Sequence, residues 1–173
     1  MKNIDWGKVP DPVDLPRLKP GGYVCKITLV TDEPKKEYLK VEYDIAEGEF
    51  KGHWNELYKA KSFWGGTFIR SYKETALSMF KGFLTAVKES NPGFIFNNEE
   101  KRLEGQLIGL VLGEEEYRKN NGTDGTRLYV AAVRSVDKIR KGDFAIPPKK
   151  LLANGTSDGW SPVDGAEADE VPF

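Results

Sequence analysis

The stretch YLKVEYDI, residues 38–45, constrains the fold more than any other part of the chain. Leu39, Val41, Tyr43 and Ile45 alternate there with Tyr38, Lys40, Glu42 and Asp44. A period of two puts the first set on one side of an extended strand and the second set on the other. The segment therefore needs a sheet with one packed face and one face open to solvent or a ligand. YVCKITLV, residues 23–30, reads as its partner strand, joined to it through the charged turn TDEPKKE. A glycine-containing turn and a third strand around residues 54–59 are expected next.

Beyond residue 70 the period changes. Ser71 followed by Glu74 fits a capping box, and Leu77, Phe80, Phe83, Leu84 and Val87 recur at helical spacing until Asn91, Pro92 and Gly93 stop the helix. QLIGLVLG and TRLYVAAVRSV then supply strands four and five, and the polar EEEYRKNNGTDG between them is expected to protrude as a long loop. DKIRKGDF reads as one short turn of helix. Three strands, a helix and two more strands is the order of a small antiparallel Greek-key barrel of the oligonucleotide-binding (OB) type, whose helix lies between strands three and four. The expected fold is thus mainly β, a five-stranded OB-like barrel over residues 21–150. A proline-rich arm, residues 1–20, is expected to lie on it through Trp6 and Val9, and residues 151–173 read as a disordered acidic tail.

Charge divides the chain in the same way. The net charge is -1, but residues 151–173 hold Asp158, Asp164, Glu167, Asp169 and Glu170 and no Lys or Arg, so the preceding 150 residues carry +4. A mildly basic body can meet a phosphate backbone that the whole-chain value would argue against. A single cysteine, Cys25, excludes an internal disulfide and fits a buried core position, and a single histidine, His53, excludes multi-histidine metal sites. With no long apolar run, the reading is cytoplasmic, with no membrane partner. FWGGTF lacks the lysine and spacing of a phosphate-cradling loop; its glycines are expected to allow a tight approach to Trp64. The acids at 114–116 and at 99–100 read as solvated charge, so no catalytic residue, cofactor or metal is expected.

Single-strand binding needs cations for phosphates and aromatic faces for unstacked bases. Lys35 and Lys36 flank the first turn, and Tyr38 and Lys40 occupy the polar side of strand two. Trp64, Arg70, Tyr72 and Lys73, with Phe63, lead into the helix. Tyr117, Arg118 and Lys119 fall in the long loop, and Arg127 and Tyr129 open strand five. Trp54, Phe63 and Trp64 equally fit packing roles, either side of Tyr129 can be the core side, and Trp6 and Trp160 read as docking anchors. The ending DEVPF joins acids to an apolar, aromatic terminus, which suits capture in a partner's pocket.

Asp169, Glu170, Val171, Pro172 and Phe173 resemble the acidic Ile-Pro-Phe ending of bacterial single-stranded DNA-binding proteins, with valine in place of isoleucine. The body is similar to phage-encoded proteins of replication and recombination modules, through GGYVCKI, YLKVEYDIAEGEFKG, FWGGTFIRSYKE, FKGFLTAVKESNPG, LEGQLIGLVLGEEEY and TRLYVAAVRSVDKIRKGDFAIPPKK. These resemblances imply a non-catalytic protein of the bacterial host cytoplasm that binds and protects single-stranded DNA. Its last five residues would recruit replication or recombination proteins, and a homo-oligomer is left open. The alternatives are a protein–protein adaptor that binds no DNA and a metal-dependent DNA-processing enzyme.

Overall fold

A computed structural model of the chain describes residues 1–9, 11–12 and 14–152. Five antiparallel strands form one sheet in the order β3-β2-β1-β4-β5. They are β1 (Gly21–Glu33), β2 (Tyr38–Ile45), β3 (Thr67–Ser71), β4 (Leu107–Arg118) and β5 (Asp124–Arg134). The helices are α1 (His53–Lys61), α2 (Leu77–Ser90) between β3 and β4, and α3 (Val136–Arg140). Among the described residues no helix is long and apolar enough to cross a membrane.

The alternation in β2 holds for Leu39, Val41, Tyr43 and Ile45, all buried. Together with Ile27 and Val30 of β1, Phe68 of β3, Ile108, Leu110 and Leu112 of β4 and Val130 of β5, they form the inner face of the sheet. Phe80, Phe83 and Val87 of α2 pack onto that face, as their helical spacing requires. The opposite face of β4 is also covered, because Val111 and Val24 pack against Val136 and Ile139 of α3. β3 and β5 are the two edges of the sheet, and α2 touches both.

Residues 54–59 are not the third strand. They lie in α1, and β3 starts at Thr67 instead. The reason is a cap supplied from β2: Asp44 Oδ1 accepts from the Trp54 N–H at 2.9 Å and Asp44 Oδ2 from the Asn55 N–H at 3.1 Å. Gly52, at the N-cap position, has no side chain to do this, so a carboxylate ten residues upstream satisfies the first-turn donors. Trp54, once capped, is buried, and the glycines that follow fit around its ring, not that of Trp64. A Cβ at Gly66 would stand 2.4 Å from Trp54 Cδ1 and 2.3 Å from the Tyr43 carbonyl oxygen.

Ser71 does not cap the helix either. It ends β3, its Oγ accepting from Lys73 N at 3.2 Å, and a 3-10 turn, Glu74–Ala76, precedes α2. Asn91, read as a stop signal, also ties α2 to β4: its Nδ2 donates to the Val87 and Leu107 carbonyls at 2.7 and 2.8 Å, and its Oδ1 accepts from Leu107 N at 2.9 Å. The N-terminal arm docks through Leu18, which is buried. Arg17 Nη2 reaches Glu114 Oε1 at 3.0 Å and Thr126 Oγ1 at 2.7 Å, whereas Trp6 and Val9 are exposed. Trp160 and residues 169–173 lie outside the described residues.

One carboxylate gives the fold a dependence on pH. Glu104 Oε1 accepts from Val30 N at 2.9 Å and from Lys101 Nζ at 2.9 Å, tying β1 to the segment before β4. These bonds favour the ionised form, and the Val30 N–H foremost, with Lys101, holds the Glu104 carboxyl below its ordinary range. A depressed carboxyl pKa adds stability above the unfolded-state value and loses it as pH falls through the folded-state value. Glu104→Gln should therefore destabilise the protein by about 1 kcal/mol at neutral pH, as read by urea unfolding. The gap to the unaltered protein should narrow below about pH 4. A gap that stays constant into acid would assign the loss to shape and not to charge.

Candidate nucleic-acid interface

β1 starts opposite Leu112, but β4 runs on to Arg118, so the β4–β5 hairpin projects past the sheet by six residues, roughly 20 Å of strand. The segment read as a long loop is thus mostly paired strand. Only residues 119–123 turn, closed by Lys119 N to the Thr123 carbonyl at 2.8 Å, with Gly122 at φ 82°. Tyr117 and Arg118 consequently stand on β4 rather than in a loop.

The register pairs Gly113 with Tyr129, Glu115 with Arg127 and Tyr117 with Gly125. Cross-strand partners share a face, so these three pairs form one ladder on the outer side of the hairpin. Each tyrosine faces a glycine, and its ring leans over the bare backbone. A Cβ at Gly113 would meet the Tyr129 ring at 2.8 Å, and one at Gly125 would meet the Tyr117 ring at 3.1 Å. Between the rings Arg127 Nε donates to Glu115 Oε1 at 2.8 Å, and its guanidinium carbon lies 5.0 Å from the Tyr117 centroid. Guanidinium planes and aromatic rings both accept a stacked base, so the ladder is a row of flat platforms joined by a cation.

Lys150 completes the row. Its N–H donates to the Glu114 carbonyl at 3.0 Å and its carbonyl accepts from Glu116 N at 2.9 Å, so it pairs along the β4 edge that β1 leaves vacant. From there its Nζ reaches 4.3 Å from the Tyr129 centroid. At the tip, Arg118 pairs with Asp124 at 3.2 Å and Lys119 is exposed. On the other side of the hairpin Glu114 pairs with Arg17, and Glu116 lies 3.6 Å from Lys149. The three adjacent glutamates are therefore split between faces and individually paired. Among the described residues no group of three or more His, Cys, Asp or Glu is placed to hold a metal ion.

The remaining candidates do not join this ladder. Lys35 and Lys36 are exposed in the β1–β2 turn, at the opposite end of the sheet from the hairpin tip. Lys40 sits on the outer face of β2, 3.3 Å from Glu42. Tyr38, expected on the polar side of β2, is buried. Arg70 is only 4% exposed, with its guanidinium over the Phe68 and Phe83 rings at 4.9 and 5.8 Å; burial lowers its pKa to about 10, which leaves it charged at neutral pH. The Tyr72 hydroxyl donates to Asp32 Oδ1 at 2.7 Å, and its pKa rises to about 12 through desolvation first and this bond second. Lys73 is half-buried at the exit of β3. Trp64 donates from Nε1 to the Gly66 carbonyl at 3.0 Å and meets Tyr58 edge-on, while Phe63 is exposed.

The ladder therefore joins Tyr117, Arg127 and Tyr129 and adds Lys150, Gly113 and Gly125, which sequence reasoning missed. Their signal was present: GEEEY and GTRLY repeat one spacing, glycine then tyrosine four residues on. In an antiparallel hairpin, two such spacings in the right register set each ring opposite a glycine. No model of a known protein family matches the chain, and no curated protein matches it.

Proposed function

We propose that the chain is a non-catalytic binder of single-stranded DNA. It holds the strand free of pairing in a phage replication or recombination module, while residues 169–173 recruit partner proteins. The observation that carries this reading is the Tyr117–Arg127–Tyr129 ladder, with Lys150 at its edge and Lys119 at its tip. A duplex keeps its base faces stacked on one another. An unpaired strand presents them, and a row of rings and guanidinium takes them without reading sequence. The strand order, with α2 between β3 and β4, supports an OB-type barrel in which β3 and β5 are the edges brought together and α2 fills the seam.

Titrating a labelled oligothymidylate and a duplex of equal length at two salt concentrations tests the reading. The expected result is tighter binding of the single strand, weakening as salt rises. Equal, weak affinity for both would overturn it. Partner capture without any single-strand affinity would favour the adaptor alternative.

A further inference from the structure

β5 carries the outer face of the hairpin back towards the body of the protein. Arg134, paired with Gly109, lies on the same face as Arg127 and Tyr129, roughly 15 Å along the strand from Tyr129. At that end a groove opens between β5 and α2. It consists of two cavities, of about 590 and 260 Å³, which share Ser78, Gly82, Val133 and Arg134 and therefore adjoin.

The charge of the groove is one-sided. Lys81, Arg134 and Lys138 stand exposed around it, Arg70 contributes a fourth cation from below, and Glu89 is the one acid in either lining. Among the described residues Lys81, Arg134 and Lys138 pair with no carboxylate, whereas Arg127 and Arg118 on the hairpin are bonded to Glu115 and Asp124. A cation with no carboxylate partner breaks no ion pair when it takes a phosphate. Gly82 leaves the helix side of the groove open, and the exposed Ser78 adds a hydroxyl able to donate to a phosphate oxygen.

We propose that this groove is a second contact site, a channel for the phosphodiester backbone of a single strand whose bases lie on the hairpin ladder. The inference rests on the single-strand reading above and extends it from stacking on one face to a path leading round the β5 edge. The ladder engages bases and the groove engages phosphates, so the two respond to different perturbations.

The test uses the full chain with Lys81, Arg134 and Lys138 all changed to Gln, and two oligothymidylates: one of about 4 nucleotides, enough for the ladder, and one of about 16. For the longer probe the slope of log affinity against log salt should fall in magnitude by about 2, with roughly a tenfold or greater loss of affinity at low salt. Binding of the shorter probe should be unchanged. A control chain with Lys51, Lys59 and Lys61 changed to Gln, on the α1 side, should keep the full slope. An unchanged slope in the groove variant, an equal loss for both probes, or an equal loss in the control would overturn the channel while leaving the ladder intact. No binding of either probe by the unaltered chain would overturn both.

Discussion

Changing Tyr117 and Tyr129 together to leucine should weaken single-strand binding by roughly a hundredfold or more, each ring contributing about 1 to 3 kcal/mol as a base platform. Leucine is the informative choice because it still covers Gly125 and Gly113 with an apolar side chain while removing the flat face. Fold stability, followed by urea unfolding, should move little, since both residues sit on a hairpin outside the main core. Tyr117→Phe and Tyr129→Phe should retain most of the affinity, because stacking uses the ring and not the hydroxyl. Full affinity in the double leucine variant, measured by anisotropy, would remove the ladder from the binding surface.

Phe83→Ala should have the largest effect on stability, about 3 to 5 kcal/mol. Phe83 is 1% exposed at the centre of the face that α2 lays on the sheet, with the rings of Phe68 and Phe80 edge-on to it at 6.0 and 6.1 Å. The loss would exceed that of an ordinary cavity because Arg70 lies over the same ring, and without it the buried guanidinium adjoins empty space. Thermal unfolding should show a fall of roughly 10 °C or more. Leu77→Ala, at the exposed start of the same helix, should stay within about 0.5 kcal/mol of the parent and serves as the control. A Phe83→Ala midpoint within a few degrees of the parent would mean that α2 does not hold the sheet.

What could be read from the sequence depended on whether one face of a segment was buried. β2 and α2 each have a packed side, and their periods of two and 3.6 identified them, whereas the first half of β4, buried on both faces, showed as a short continuous apolar run. The far half of β4, Glu114 to Arg118, is strand without a core face, so polar residues fill both sides and no period marks it. α1 was hidden for another reason. Its cap, Asp44, lies on a different element, and local sequence cannot show a bond formed only once β2 and α1 meet. Tyr38 and Arg70 fail as surface candidates in a similar way: alternation put Tyr38 on the polar side and charge suggested exposure for Arg70, but packing at the strand ends covered both. Tyr117, Arg127 and Tyr129 were individually visible, but their adjacency depended on a register that only the paired hairpin supplies.

The projection of the hairpin beyond β1 separates the length of the proposed binding row from the integrity of the body. Pairing repeats every two residues along each strand, so inserting two residues in β4 and two in β5 near the turn restores both register and facing. Such an insertion would add a rung to the ladder without moving a core side chain. On the single-strand proposal, such an insertion would lengthen the stretch of strand covered and leave the folding of the body unchanged.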